Sequence, residues 1–491
     1  MTRLRTSLLF SAVAQQSNLL ISFFSIAVVA RLLTPAEIGV FAVASSLTVL
    51  AIEFRSIGVG QYLVREKELT EEKKRTAFGM MLLISWSFAL VIIMSAQTIA
   101  VFYSQPDLRY IFWILSGTFI LAPFSTIPFA ILLRDMRFDQ VLRIKLSSGI
   151  ARSGGSIGFV LLGWSYFGLA AGVLLGAIVE LTAISLIDRS KSLLRPSFKL
   201  WREILGFGTV TSVTGMLQRF TQSVPDLVLG RTATMADVGL FSRGLGMILF
   251  INKLISLAVN PVLLPHLSGI RRREGDVGKE YLKCISLHGA VSLPAFATAA
   301  VIALPLIQLF FGDQWDAAAP IASVLAIWAM LQTVHGFLPI ALVAMNRERI
   351  ALLREITIFS IRIILIIIAA SEGLIAVAWA MCITGVFDLA LSTFLAARYL
   401  NITWRHVCNS FIPNAALTAV SSITALLMLG LLSEHTSSIF VQISVTSITV
   451  FLGWLATLRL TNHDLWPIGC EMITDGISTT KQKLNLGGTP R

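Results

Sequence analysis

The sequence predicts an all-α polytopic membrane protein. It has fourteen transmembrane helices: two six-helix lobes related by a pseudo-two-fold axis, and two further helices at the C-terminal end. Three observations carry this reading. The first is hydropathy. Of 491 residues, 55% are hydrophobic and 13% charged, and the mean hydropathy is +0.80. Apolar runs of about 20 residues, enough to cross a hydrocarbon core of roughly 30 Å, recur from end to end. The second is a duplication. Arg31–Phe41 reads RLLTPAEIGVF, and two hundred residues later Arg231–Phe241 reads RTATMADVGLF, each between two apolar runs. The third is the placement of the loop cations, nearly all on one side.

The helices fall at about 7–30, 37–63, 77–103, 109–133, 142–162, 166–187, 204–229, 237–266, 284–311, 317–345, 350–370, 374–398, 411–432 and 438–460. Arg3, Arg5 and the Ala12-Val13-Ala14 triplet resemble a cleavable secretory signal. The apolar run continues to Ala30, however, and has a counterpart in the second half, so it reads as the first helix. Thr34 suits an N-cap, with Pro35 at the first helical position and Glu37 reaching back; Thr234 and Asp237 repeat that logic. Each copy is a tight reversal between two membrane helices.

The repeat extends further. Ser11, Gln15, Asn18, Ser22 and Ser25 form one stripe along the first helix, and adding 200 gives Thr211, Gly215, Gln218, Gln222 and Pro225 on the seventh. At an offset of 209, Phe102 and Gln105 meet Phe311 and Gln314. At 210, Arg137 meets Arg347 and Arg152 meets Arg362. Six is even, so both copies share one orientation and the axis lies along the membrane normal. The division is residues 1–200 for the N-lobe, 201–405 for the C-lobe, 406–460 for helices 13 and 14, and 461–491 for a tail. Prolines at 123, 128, 261, 265, 294 and 305 are expected to bend their helices, and Pro225 to weaken the seventh.

Connections on the N-terminal side carry clusters such as Lys73, Lys74 and Arg75 or Arg271, Arg272 and Arg273; the opposite side has only Arg31, Arg109 and Arg231. By the positive-inside rule both termini are cytoplasmic. The net charge of +12 is therefore a topology signal and argues against nucleic acid. Four cysteines without CxxC spacing and six scattered histidines indicate neither a disulfide framework nor a metal site. Chemistry on the outer side would need a sizeable loop, and the outer connections are short, so a membrane polymerase or ligase is disfavoured. No cofactor is indicated, and no P-loop is present.

Charges within the helices are costly, at least about 2.5–3.5 kcal/mol each at the bilayer centre, so they must face partners or a hydrated cavity. Arg152 with Glu180, and Arg362 with Asp388, suit an ion pair inside each lobe. Glu53 and Lys253 are equivalent under the 200-residue offset and would face each other across the axis. With Arg55, Arg219, Arg243 and Asp226 they describe a net-positive groove between the lobes. Arginine suits an anion because its planar fork grips phosphate oxygens in pairs; Gln15, Asn18, Gln218 and Gln222 suit sugar hydroxyls. Asp226 and Glu53 are the candidates for sensing protons or cations.

The opening RLLTPAEIGVF, its weaker echo, the FGDQW at Phe311–Trp315 and the fourteen-helix plan resemble Wzx-type oligosaccharide flippases. These belong to the multidrug/oligosaccharidyl-lipid/polysaccharide exporter superfamily, with its MATE-like fold. Within it the chain is most similar to bacterial exopolysaccharide (succinoglycan-type) transport proteins. The resemblance implies an oligosaccharide on an undecaprenyl-pyrophosphate carrier, flipped across the cytoplasmic membrane by alternating access, with membrane lipids around it and a polysaccharide polymerase or co-polymerase as partner. Arg55, Arg219, Arg243 and Lys253 would then hold the pyrophosphate. A drug/cation antiporter of the same fold and a lipid II-type flippase are the alternatives. The cationic surplus and the two extra helices count against the first. In the lipid II branch the first, second and eighth helices carry cavity arginines, whereas here the first has none in its membrane interior. That branch also uses helices 13 and 14 as a groove for the polyprenyl tail.

Overall fold

The computed structural model describes residues 2–55, 59–187, 195–205, 209–436 and 438–467, without the side chains of 2–15, 61, 205, 209–212 and 257–262. Regular structure among these residues is helical: α1 (Thr2–Leu32), α2 (Pro35–Arg55), α3 (Val59–Arg65), α4 (Glu71–Phe102), α5 (Leu108–Arg134), α6 (Phe138–Phe159), α7 (Phe167–Ile187), α8 (Trp201–Leu205), α9 (Thr209–Thr232), α10 (Met235–Arg272), α11 (Val277–Val301), α12 (Ala303–Phe311), α13 (Ala319–His335), α14 (Leu338–Ala344), α15 (Glu348–Ala369), α16 (Leu374–Leu400), α17 (Trp404–His435) and α18 (Ile439–Leu460). Residues 468–491 of the predicted tail lie outside the described residues.

Among the described residues, ten stretches are long and apolar enough to cross a membrane. The other long helices are α1, α6, α9 and α15, the first and fifth of each sequence repeat. They hold the polar stripes and Arg152, Arg219 and Arg362. Their lower hydropathy follows from their partners: α1 packs on α6, and α9 on α15, so each turns a polar face to a helix instead of lipid.

Boundaries depart from the prediction at several places, among them 317–345, which divides at residues 336–337 into α13 and α14. The segment 37–63 forms α2 and α3, with 56–58 outside the described residues. The segment 284–311 divides at Ile302 into α11 and α12, and a short 3-10 stretch, Asp313–Ala318, precedes α13. Helix α5 runs through Pro123 and Pro128, α9 through Pro225, and α11 through Pro294. Pro305 sits in the first turn of α12, where a missing N–H leaves no bond unmade.

Two compact units emerge. One comprises Met1–Phe250, Phe310–Ile321 and Glu348–Thr384, the other Ile251–Leu309, Ala322–Arg347 and Gly385–Arg491; each takes segments from both predicted lobes. In the first, both reversals close as capping boxes. The Glu37 amide donates to Thr34 Oγ1 at 3.3 Å while the Thr34 amide donates to Glu37 Oε2 at 2.8 Å. The Asp237 amide donates to Thr234 Oγ1 at 3.2 Å, and the Thr234 amide to Asp237 Oδ2 at 3.1 Å. The two turns also meet. A Cβ on Gly39 would collide with the Met235 carbonyl oxygen, and one on Gly239 with that of Pro35. Pro35 and Met235 are themselves 200 residues apart, so the contact is reciprocal, and only glycine allows backbones this close.

The cation-rich end of the same unit is held by a polar collar. Lys73 pairs with Glu66 at 2.9 Å and with Glu203 of α8 at 3.3 Å, and Arg134 donates to the Leu63 and Lys67 carbonyls. The Lys73 ammonium holds the Glu66 carboxyl below its ordinary range. In the second unit α17 and α18 anchor on α11. Ala290, Leu417 and Leu458 form a small core, Trp454 donates to the Ala290 carbonyl at 2.8 Å, and the buried Asn414 amide donates to the Ser286 carbonyl at 3.0 Å.

Candidate functional site

The predicted charges of the first unit form a row of alternating sign. Arg219 on α9 pairs with Glu53 on α2 at 2.8 Å. Two residues further along α2, Arg55 sits 5.3 Å from the Phe119 ring centre and within electrostatic reach of Glu180 and Glu53. Glu180 on α7 in turn pairs with Lys145 on α6 at 3.2 Å. The row reads Arg219, Glu53, Arg55, Glu180, Lys145, with cations in excess. Arg219 is 61% exposed in its side chain, so the Glu53 pair adds little to stability; it fixes where charge is presented.

Glu180 does not take the expected partner. The Arg152 Cβ is pressed against Gly176 of α7, where a glycine Cβ would come within 2.7 Å of it. From there its guanidinium reaches Ser22 of α1 at 3.5 Å, leaving Glu180 to Lys145. Among candidates for the opposite repeat, Arg362 lies in the first unit and Asp388 in the second. Asp388 is buried and accepts hydrogen bonds from Gln332 at 3.1 Å and Ser392 at 3.0 Å.

A second cluster lies where α9 crosses α2 and α10. Asp226 Oδ2 accepts a hydrogen bond from Ser46 at 2.9 Å, while its Oδ1 is buried without a hydrogen-bond partner. Arg243 is the opposite charge acting on it. Its guanidinium lies 5.7 Å from the Trp315 ring centre and 5.9 Å from that of Phe311, within cation–π range. Arg243 Nε, like Arg55 Nε, is buried without a hydrogen-bond partner. Each such orphan costs about 1–3 kcal/mol. Groups of this kind call for a partner that the chain itself does not supply.

The remaining predicted residues divide. Asn18 is half-buried against α6, its amide oxygen filling the space a Cβ at Gly149 would need. Gln218 donates to Glu355 of α15 at 3.1 Å. Gln222 is exposed; Lys253 is also exposed but belongs to the second unit, whereas Glu53 belongs to the first. The Gln15 side chain lies outside the described residues. Sequence reasoning missed Glu355 and the buried Arg354 that pairs with it. Their signal was a charged pair one turn inside a predicted span, adjacent in sequence and easily mistaken for loop. The second unit also holds an apolar groove of about 330 Å³, lined by Pro294, Thr298, Ser421, Phe451 and Trp454. The Thr298 and Ser421 hydroxyls in it have no hydrogen-bond partner.

Known proteins place this architecture. The chain is 20% identical over 404 residues to the teichuronic acid biosynthesis protein TuaB of Bacillus subtilis (strain 168), covering 79% of this chain and 81% of that protein. To the succinoglycan biosynthesis transport protein ExoT of Rhizobium meliloti (strain 1021) it is 23% identical over 322 residues, 65% of this chain and 64% of the other. Among solved structures it resembles the lipid II flippase MurJ in an inward closed conformation, with a TM-score of 0.77 at 16% identity, over 93% of this chain and 99% of that one. At that identity the likeness speaks for the fold alone. Residues 28–320 match the family described as polysaccharide biosynthesis protein, and this multi-pass membrane protein belongs to that family.

Proposed function

We propose that the chain is a flippase for lipid-linked oligosaccharides. It carries an undecaprenyl-pyrophosphate-linked repeat unit across the cytoplasmic membrane for exopolysaccharide or lipopolysaccharide assembly. Fourteen spans in two six-helix lobes, 1–200 and 201–405, with both termini cytoplasmic, carry out alternating access, and helices 13 and 14 stand beside them. Family membership and the biosynthetic roles in the names of its relatives support the substrate class. The single observation that carries the site is that Arg55 and Arg243, two of the four described arginines whose Nε is buried without a hydrogen-bond partner, lie beside the acids Glu53 and Asp226. A pyrophosphate supplies acceptors in the geometry those groups lack.

In this reading Arg55, Arg219, Arg243 and Lys253 hold the pyrophosphate, and Gln15, Asn18, Gln218 and Gln222 meet sugar hydroxyls. Asp226 and Glu53, each set against an arginine, exchange a proton or cation as the lobes alternate. An ion gradient or the membrane potential drives the cycle. The apolar groove lined by α11, α17 and α18 takes a stretch of the polyprenyl tail, and the product passes to a polysaccharide polymerase or co-polymerase. Arg55→Ala and Arg243→Ala are each expected to lower surface polysaccharide about tenfold or more at equal protein level, the scale of a lost charge-assisted bond. Unchanged export removes that residue from the mechanism.

A further inference from the structure

The FGDQW segment does something that its place in a motif does not state. Helix α1 ends with carbonyls that have no partner in the next turn, because the Thr34 amide is spent on Glu37. The segment 310–315 supplies the missing donors. Gln314 Nε2 donates to the Ala30 carbonyl at 2.7 Å and to that of Leu33 at 3.3 Å. Trp315 Nε1 donates to the same Ala30 oxygen at 2.8 Å, and Arg31 Nε reaches the Phe310 carbonyl at 3.5 Å. Trp315 is fully buried, and its ring is one of the two beneath Arg243.

The equivalent segment of the first repeat makes the crosswise contact. Phe102 lies under Arg231 at 5.3 Å, and Tyr103 donates to the Leu227 carbonyl at a long 3.4 Å. Pro106 stands where Trp315 stands in the other copy, so this side has no indole donor. Each repeat's third-helix end thus clasps the other repeat's first-helix end, on either side of the Gly39–Gly239 contact, and the two clasps are unequal.

We propose that Phe311–Trp315 is the latch of the cation-poor side of the transport path, with Trp315 positioning Arg243. The seam between the turns must part for a substrate to leave on that side. The Tyr103 clasp resists parting weakly, and the Gln314–Trp315 clasp is what holds the seam shut. Because Trp315 touches both the α1 end and Arg243, loading Arg243 with an anion and opening the seam act on one side chain. This rests on the flippase reading, but its test does not.

The experiment uses Val43→Cys as a reporter in the full chain with its four native cysteines replaced. Val43 is fully buried, with its Cγ2 against Gly230 beneath the seam. Labelling of the reporter thiol by a membrane-impermeant maleimide from the cation-poor side is measured in intact cells, alongside surface polysaccharide. Gln314→Ala and Trp315→Phe, which keeps the ring and loses the donor, are expected to raise labelling several-fold to about tenfold, the population shift of one or two lost hydrogen bonds. Tyr103→Phe is expected to raise it twofold or less. Labelling unchanged in both Gln314→Ala and Trp315→Phe overturns the latch, even if export falls, because the segment is then only structural. Raised labelling with unchanged polysaccharide export keeps the latch as a gate and counts against the flippase reading instead.

Discussion

The turns at Arg31–Phe41 and Arg231–Phe241 are built alike, and the helices below them are not. Both turns have the same capping box, and each glycine rests on the other's first helical carbonyl. One to four turns down the same helices, the copies part company. Ser46 corresponds to Gly246, Val43 to Arg243, Ile26 to Asp226, Leu19 to Arg219 and Glu53 to Lys253. A reciprocal backbone contact tolerates no side chain on either copy, so both keep glycine. A bound ligand has no such symmetry, so the residues that would touch it are free to differ. Where the repeat survives it builds the turns, and where it decays it leaves the residues that the proposed function assigns to the ligand.

The largest effect should come from breaking the symmetric contact. Gly39→Ala and Gly239→Ala force two backbones apart and should each cost about 3 kcal/mol or more, the upper range for overpacking, read as loss of protein or a steep fall in Tm in detergent. Gly246→Ala, where a Cβ meets nothing within 4 Å, should be neutral or gain about 0.5–1 kcal/mol from helix propensity. If Gly39→Ala and Gly239→Ala differ widely, the turns are less alike than their geometry says. Thr34→Ala and Thr234→Ala come next. Each removes one cap at about 0.5–2 kcal/mol, and the two Tm shifts should agree within error.

The diverged interior should respond differently. In a double-mutant cycle of Arg219→Ala with Glu53→Gln, stability coupling should fall below about 1 kcal/mol, as for an exposed pair. Transport should show a larger coupling than stability. Equal coupling in both would make the pair a structural brace. The smallest effect lies outside the repeat altogether. His463 is buried, with Nε2 against Asn414 Oδ1 at 2.9 Å and Nδ1 accepting from the Leu465 amide at 3.1 Å, which leaves no place for a second ring proton. Burial lowers its pKa below the ordinary 6.5. The stability it contributes is complete above that value and is lost as pH falls below it. A shallow drop in Tm between pH 7.5 and 5, reduced in His463→Gln, would place the C-terminal pair's anchor apart from the symmetric core.

Much of the fold could be read directly. Hydropathy located the helices, and the capping residues located both reversals, because these signals depend on neighbours in sequence. The loop boundary at Ile302 and the split of the second predicted helix were missed, since an apolar run does not reveal a break that packing imposes. Of the candidate residues, Arg55, Arg219, Glu53, Arg243 and Asp226 all belong to the first unit, where Arg219 pairs with Glu53 and Asp226 feels the charge of Arg243. The partners were mostly unreadable. Arg152 and Lys145 lie seven apart on one face of α6, and nothing in that spacing tells that Arg152 packs on Gly176 and reaches Ser22 while Lys145 meets Glu180.

Composition, period and repeat by themselves determined the membrane class, the duplicated turns and the charged residues too costly to leave in lipid. These are one-dimensional properties, set by how far a side chain is from water. Tertiary structure alone decided that the two glycines touch, that Gln314 and Trp315 complete the end of α1, and that Arg243 rests on Trp315 while facing Asp226. Those contacts join residues from about 20 to nearly 300 positions apart in the chain, and no local periodicity encodes which of many buried polar groups will find one another.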